Sequence, residues 1–233
     1  HITFKNRRAL IIDKIDYLSQ INLFNELSMK ELKIIDSIST MHPIQKGTII
    51  LSPNKPSETL FLLKKGNIRL YKMDQNGNEL TVDLLGGGNI FGETNSLTLT
   101  NDEIYAKAMN EVYICTINKK QFTSLLEKKP KLGVKFIEIL STKLKEMYET
   151  GQEIALDNVK DRIIALLIKL SSKFGQEDDE WKTINVKITH QDIATMIGST
   201  RETVSILMGE LKKEGIVKKQ FTYLKINIKK IKE

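Results

Sequence analysis

The sequence predicts an α+β protein in which a small antiparallel β-barrel is followed by one long helix and then by a helix-turn-helix with a β-hairpin behind it. Three observations lead to this prediction. Short apolar runs separated by turn residues fill the segment from residue 44 to residue 117, which is typical of a barrel or roll built from hairpins. Apolar residues at helical spacing continue for about 27 residues after Pro130. The last third of the chain contains two capped helical patterns that meet at Gly198.

The first part of the chain combines helical and strand patterns. A helical pattern runs from about Arg7 to Asp36, and Ser28 followed by Glu31 indicates a capping box that opens a short second helix. Asn76-Gly77, between two alternating runs, is the strongest single hairpin signal. The runs predicted to be strands are residues 48–51, 59–63, 67–71, 80–84 and 111–117.

A helix is predicted at residues 119–127, and the long helix begins at Pro130. A helix of that length reaches roughly 40 Å, and its apolar stripe needs a second surface to cover it. A second copy of the chain would provide that surface in a parallel coiled-coil dimer, although the helix could instead lie against its own domain. The dimer interface is predicted to contain Phe136, Leu140, Leu144, Met147 and Ile154.

A further helix is predicted at Val159–Phe174, followed by an acidic loop at 176–180 and a strand at 183–188. The segment from Ile188 to Ile216 is the most informative about function. Thr189 is placed to cap a short helix, and Gly198 permits a tight turn. Ser199 or Thr200 then caps a second helix, which Gly215 ends. This spacing predicts a helix-turn-helix whose second helix enters the major groove of DNA. The alternating segments 216–219 and 223–228 predict a hairpin, the wing.

The first turn of the second helix carries the residue types that read bases. Arg201 can donate two hydrogen bonds to guanine, and Glu202 can accept one from the cytosine amino group; the alternative is an ordinary solvated helix face. Hydroxyl, amide and lysine side chains around that turn and on the wing are suited to phosphate contacts. The predicted DNA-binding residues are Thr189, Gln191, Ser199, Thr200, Arg201, Glu202, Thr203, Ser205, Lys218 and Lys219.

Charge and composition narrow the functional classes. The chain has a formal net charge of +7 and a pI near 9.2, and from Val159 onward it contains 15 lysines and arginines against 10 acidic residues, which favours a polyanionic partner at the C-terminal end. One cysteine and three histidines leave no thiolate set for an iron–sulfur cluster. No catalytic constellation or metal-ligand cluster is visible, so we expect a non-enzyme without a metal or cofactor.

The expected location is the cytoplasm, without membrane association. A lone cysteine fits a reducing compartment. No apolar run reaches the length needed to span a bilayer, and the first residues lack the apolar core of a secretory signal.

With these motifs the sequence resembles the cyclic-AMP receptor protein/fumarate-nitrate regulator (Crp/Fnr) family of bacterial transcription regulators over nearly its whole length. The resemblance implies a barrel of the cyclic-nucleotide-binding type, a double-stranded β-helix with a jelly-roll-like topology, ahead of a dimerisation helix and a winged helix-turn-helix. The implied domains are residues 1–128, 129–158 and 159–233. The segments that carry it are Lys46-Gly47, Glu58-Thr-Leu-Phe-Leu-Leu-Lys-Lys-Gly-Asn67, Gly88-Asn-Ile-Phe-Gly-Glu93, Val159-Lys-Asp-Arg-Ile163, Ile188-Thr-His-Gln-Asp-Ile193 and Gly198-Ser-Thr-Arg-Glu-Thr-Val204.

The resemblance implies a homodimer that binds a palindromic double-stranded operator and either recruits or blocks RNA polymerase under control of a signal in the barrel. In one branch the recognition helix starts Arg-Glu and has a second arginine four residues after that glutamate. Arg201 and Glu202 match this pattern, whereas Ile206 stands in place of the second arginine.

The implied effector pocket departs from the family pattern. Gly92-Glu93 fits the start of the phosphate cassette, but Asp102-Glu103 occupies the place of its arginine and Met147-Tyr148 that of its adenine-contacting pair. Two carboxylates repel a cyclic phosphate, so we expect no control by cyclic AMP in the usual mode. The alternatives are another small ligand, cationic or neutral, or no effector; haem, with His42, Cys115 or His190 as ligand, is disfavoured. A regulatory subunit that binds protein instead of DNA is a rival class, against which the segment from Gly198 to Val204 argues.

Overall fold

The computed structural model describes residues 24, 27–53, 55, 58–94, 97–98, 103–156, 158–178 and 180–231. The first predicted helix, from Arg7, lies outside these residues as far as position 23. Its short successor is confirmed: α1 (Met29–Ile38) begins after Ser28, and Ser28 and Glu31 make the two reciprocal hydrogen bonds of a capping box.

All five predicted barrel strands are confirmed, to within two residues at each end. The strands before the long helix are β1 (Thr40–Ile44), β2 (Ile49–Leu51), β3 (Thr59–Lys65), β4 (Ile68–Met73), β5 (Glu79–Leu85), β6 (Ile90–Thr94), β7 (Leu97–Thr98), β8 (Tyr105–Ala108) and β9 (Val112–Asn118). They form two antiparallel sheets, in the orders β1-β9-β3-β6-β7 and β2-β8-β4-β5. Gly77, at the predicted β4–β5 turn, has a positive φ of 82°, which favours glycine.

Strand β3 supplies side chains to two cores, and this explains its continuous apolar run. Phe61 and Leu63 point into the barrel, where the Phe61 ring stacks on Phe91 with centroids 5.0 Å apart. Leu60 and Leu62 point to the opposite face and pack beneath the helices. Because side chains alternate across a strand, only a strand covered on both faces needs four consecutive apolar residues.

The helices after the barrel cover that second face. α2 (Lys119–Lys128) is capped by Asn118, and α3 (Pro130–Leu156) is 27 residues long. We expected Phe136 to face a partner copy, but only 5% of its surface is exposed and its ring packs edge-on against Phe122, with centroids 5.1 Å apart. Leu140 is half-buried against the same core. The interface prediction was therefore wrong for Phe136, whereas Leu140 keeps part of its surface exposed and stays a prediction.

The exposed apolar residues of α3 lie on a different stripe. Val134, Ile137, Leu144 and Tyr148 are 59%, 63%, 52% and 68% exposed. Their spacing of three, seven and four residues is that of the a and d positions of a heptad repeat. Of the predicted interface residues, Leu144 lies on this exposed stripe. The side chains of Met147 and Ile154 lie outside the described ones.

The C-terminal part alternates helices with a small sheet. Its elements are α4 (Val159–Phe174), β10 (Gly175–Asp178), β11 (Trp181–Ile184), α5 (His190–Met196), α6 (Arg201–Lys213), β12 (Val217–Gln220), β13 (Tyr223–Asn227) and α7 (Ile228–Ile231). The strands pair in the order β10-β11-β13-β12. Two predictions need correction here: the acidic segment at 176–180 is largely strand rather than loop, and the strand predicted at 183–188 ends at Ile184. Residues 176–178 pair in register with β11, and those backbone hydrogen bonds outweigh the weak strand propensity of acidic residues.

The chain forms two compact units. One contains the described residues up to Met73 together with Asp83–Leu144, and the other contains Asp74–Val82 and Lys145 onward. The three-domain division remains a prediction. Within the described ranges, no helix is long and apolar enough to cross a bilayer.

Candidate nucleic-acid interface

The two helices of the predicted helix-turn-helix begin at the predicted caps. The Thr189 hydroxyl accepts a hydrogen bond from the Asp192 backbone at 3.1 Å and donates one to the Asp192 carboxylate at 2.6 Å. The Thr200 hydroxyl accepts from the Thr203 backbone at 3.2 Å and lies 2.9 Å from the Thr203 hydroxyl. The other backbone N–H groups of a first helical turn have no partner within the helix and can donate to phosphates.

Asp192 holds α5 in place from within the fold. It is only 8% exposed, and its second carboxylate oxygen accepts a hydrogen bond of 2.6 Å from the hydroxyl of Thr81, another residue of the second unit. A buried carboxylate with hydrogen-bond donors on both oxygens is fixed in orientation. Asp192 therefore positions Thr189 and its neighbours without contacting a ligand itself.

A tight turn joins the two helices. Gly198 has a positive φ of 64°, which favours glycine, and the Ser199 backbone donates to the Ala194 carbonyl at 2.9 Å. This turn is the short connection between α5 and α6 that a helix-turn-helix requires.

Helix α6 has one buried face and one open face. Val204, Met208 and Leu211 are buried, whereas Arg201, Glu202 and Ser205 are exposed, as predicted for residues that read bases. The open face also contains Ile206, whose side chain is 65% exposed. In the sequence, Ile206 is an apolar residue one turn after Glu202, and the predicted site does not include it.

A cleft of about 400 Å³ lies beside the first turn of α6. It is lined by Thr189, His190, Gln191, Arg201 and Ser205. The structure thus brings four predicted site residues together and adds His190, which we had considered only as a haem ligand. Burial lowers the pKa of His190 below its usual value of 6.5, and the cations Arg201 and Lys219 lower it further. The imidazole is surrounded by positive charge, which favours an anion in the cleft.

The wing continues this positive surface. A second groove of about 270 Å³ runs from His190 and Ser205 along α6 to β12, with Lys212, Lys218 and Lys219 on its walls. The Lys218 ammonium lies 3.8 Å from the ring centroid of Trp181, the only tryptophan in the chain. Lys219 is exposed. A cation–π contact thus holds Lys218 on the sheet. The side chain of Lys219 lines the groove.

The C-terminal end of α6 is fixed by two lysines from other elements. Lys160 on α4 makes a 2.6 Å ion pair with Glu214, which raises the pKa of that lysine. Lys230 on α7 donates to the Glu214 carbonyl at 3.0 Å. Cations at a helix C-terminus also interact favourably with its dipole. The open face of α6 is therefore carried on a rigid helix.

The predicted effector residues form no site that the structure describes as a whole. Asp102 lies outside the described residues, as do the side chains of Glu93 and Met147, and Tyr148 is 68% exposed. Glu103 makes a 2.6 Å ion pair with Lys72, which lowers the pKa of that carboxyl. Gly92 has a positive φ of 100°, and a β-carbon there would collide with the Thr59 carbonyl and the Phe61 ring. The glycine is therefore explained by close packing of strands.

No group of three or more metal-ligating side chains occurs in the part of the chain that the structure describes. His42 is exposed on β1, and Cys115 is buried in an apolar core.

Two family models match the chain, each on one of the regions described above. Residues 41–129 match the cyclic nucleotide-binding domain. Residues 161–233 match the Crp-like helix-turn-helix domain. The first covers the barrel together with α2, and the second covers the helix-turn-helix and its wing.

Curated relatives match over most of their length. The global nitrogen regulator of Nostoc sp. is 30% identical over 175 residues, which are 74% of this chain and 78% of the relative. The anaerobic regulatory protein of Bacillus subtilis is 29% identical over 189 residues, 79% of this chain and 78% of the relative.

Solved structures show the same architecture. A transcriptional regulator of the CRP/FNR family from Thermus thermophilus superposes with a TM-score of 0.65 at 26% identity, over 83% of this chain and 96% of that one. The c-di-GMP-responsive global regulator CLP of Xanthomonas campestris gives a TM-score of 0.70 at 17% identity, over 85% and 99% of the two chains, and this likeness concerns the fold alone.

Proposed function

Because the chain belongs to the Crp/Fnr family of DNA-binding transcription regulators, we propose that it binds a palindromic operator as a homodimer and regulates transcription there. It acts in the cytoplasm, with RNA polymerase as its further partner. No catalytic role is assigned to it, in line with relatives that are regulators.

The open face of α6 is the observation that carries the DNA-reading part of this proposal. Arg201 and Glu202 are exposed in the first turn of a helix whose other face is buried. Arginine pairs with guanine and glutamate with the cytosine amino group in the major groove. Around them, Thr189, Gln191 and Lys219 are exposed and suited to contacts with phosphates on either side.

The dimer part of the proposal rests on the exposed stripe of α3. Val134, Ile137, Leu144 and Tyr148 occupy a and d positions on a helix of 27 residues. Exposed apolar side chains at this spacing are covered by a second helix of the same kind. A second copy of the chain provides such a helix, and two-fold symmetry would place the recognition helices about 34 Å apart.

The proposal also states that cyclic AMP does not control this protein in the family's usual mode. Where the family pattern has a cation for the cyclic phosphate, this chain has Glu103, whose ion pair with Lys72 holds the carboxylate charged. A carboxylate in that place cannot bind a phosphate as a cation would, and the Lys72 ammonium is already paired with it. A different small ligand in the barrel remains the alternative for control of the protein.

Operator selection from a pool of random duplexes tests the proposal. The full chain, without added effector, is incubated with the pool at near-physiological salt, and bound duplexes are amplified and sequenced. We expect a palindrome with half-sites one helical turn apart. If the recovered duplexes show no common sequence, either with or without cell extract, the proposed function is wrong. A palindrome that requires the extract would establish an effector.

A further inference from the structure

Ile206 is a large apolar side chain on the surface of α6 that the fold does not use. It is 65% exposed and lies opposite the face on which Val204, Met208 and Leu211 are buried. Burying an isoleucine side chain is stabilising, and most of that free energy is not gained in the chain alone. Local structure does not favour the residue either, because β-branched side chains have lower helix propensity than straight ones.

The neighbours of Ile206 keep its surroundings open. Glu202, one turn before it, and Gly209, almost one turn after it, are both exposed on the same side of α6. Gly209 has no side chain, and a β-carbon built there would meet nothing within 4 Å. A glycine inside a helix is destabilising relative to alanine. No side chain protrudes from α6 at Gly209, next to Ile206. A flat surface can therefore approach the helix backbone closely there.

The floor of the major groove offers one apolar group, the C5-methyl of a pyrimidine, which every thymine carries. We propose that Ile206 contacts such a methyl group, and so selects a 5-methylpyrimidine in each half-site, beside the base pairs that Arg201 and Glu202 read. This inference rests on the proposed function. An isoleucine has no hydrogen-bonding group, so a guanine edge or a cytosine amino group facing it would lose water without gaining a partner.

Methyl deletion in the DNA tests the contact directly. In the operator recovered from the random pool, each symmetric pair of thymines is replaced by deoxyuridine, which lacks only the methyl group. Binding of the full chain is then measured by fluorescence anisotropy. One position should lose roughly fourfold in affinity per half-site, because a buried methyl is worth about 0.8 kcal/mol.

Substitution in the protein shows whether Ile206 is the residue responsible. In Ile206→Ala the loss at that position should disappear, whereas Ile34→Ala, which shortens an isoleucine 44% exposed on α1, should keep it. Replacing the same thymine by cytosine and then by 5-methylcytosine separates the methyl from the rest of the base. Recovery with 5-methylcytosine in the native chain alone supports a methyl contact.

Three results would overturn the inference. They are a loss that persists unchanged in Ile206→Ala, the absence of any position sensitive to deoxyuridine, and no recovery with 5-methylcytosine. A protein that selects no sequence at all would instead contradict the proposed function, so the two failures are distinguishable.

Discussion

At the scale of single residues, the proposed interface contains side chains expected to read bases and side chains expected to hold phosphates. Arg201 and Glu202 are proposed as the first kind, by their place in the first turn of α6. Lys219, on the wing strand β12, is proposed as the second. The two kinds respond differently to substitution, because only base contacts depend on sequence.

Arg201→Ala should weaken binding to the selected operator by about 1–3 kcal/mol and relax the preference at one base pair, with little effect on random duplex. Lys219→Ala is the matched control. It should weaken binding about equally on both duplexes and reduce the slope of log affinity against log salt by about 1. Titrations of both variants on both duplexes at several salt concentrations measure this. Equal losses for Arg201→Ala on both duplexes would rule out a base-reading role.

His190 should make DNA binding depend on pH. Its pKa lies below 6.5 in the free protein through burial and the charges of Arg201 and Lys219, and Lys212 and Lys218 also face its groove. A phosphate nearby would favour the protonated imidazole and raise the pKa. The bound state then holds more protons, so affinity rises as the pH falls from the pKa of the bound state to that of the free protein, and levels off below it.

Affinity measured between about pH 5.5 and 8 tests this dependence. His190→Gln should flatten the profile, while His42→Gln, which changes an exposed histidine on β1, should leave it unchanged. A profile of equal slope in His190→Gln would contradict the contact between His190 and phosphate.

At the scale of elements, α3 shows why the face proposed as the dimer interface was hard to predict from sequence. Leu132 and Phe136 turn toward the core of their own unit, whereas Val134 and Ile137 turn away from it. A helix with two apolar faces presents two overlapping periodic patterns, and periodicity alone does not say which one is covered within the chain.

Ile137→Asp should convert the proposed dimer to monomers, because it places a charge in the exposed stripe of α3 that is proposed as the interface. Sedimentation velocity over a range of protein concentrations measures the change. Ile34→Asp places the same charge on an exposed position of α1 and should leave the association state unaltered. If Ile137→Asp sediments as the native chain does, the stripe is not the dimer interface.

The predictions that succeeded at this scale rest on local chemistry. Ser28, Thr189 and Thr200 cap helices in the structure, since a side-chain cap is decided by residues only a few positions apart. The strand β10 was missed because its pairing with β11 is not visible in the composition of an acidic segment. The cleft at His190 depends on how α5 and α6 are packed, which no local pattern gives.

At the scale of the whole molecule, charge is divided unequally along the chain. The residues from Val159 onward hold 15 basic against 10 acidic side chains, and the described part of the predicted effector region contains Glu103 paired with Lys72. The end that meets DNA is therefore positive. At the barrel position where the family pattern has a cation, this chain instead has the ion pair of Glu103 and Lys72.

Cyclic AMP should leave operator affinity unchanged and give no saturable heat when titrated into the full chain. The reason is the charged carboxylate of Glu103, whose pKa is lowered chiefly by its hydrogen bond with Lys72, at the position where the family pattern has a cation. Isothermal calorimetry and anisotropy at neutral pH measure the two quantities. Adenosine, which lacks the phosphate, is the control ligand. Saturable binding of cyclic AMP but not adenosine would contradict the prediction and show that the chain has a phosphate site despite Glu103.

The contact between Lys218 and Trp181 gives the molecule an optical reporter. An indole is the dominant emitter of a protein, and this chain has a single one, with an ammonium 3.8 Å from its ring centroid. A cation fixed over an indole shifts its emission colour, so departure of Lys218 toward a phosphate would change the spectrum at one defined place. The colour and quantum yield of the Trp181 emission therefore monitor its contact with Lys218 in the unlabelled native chain.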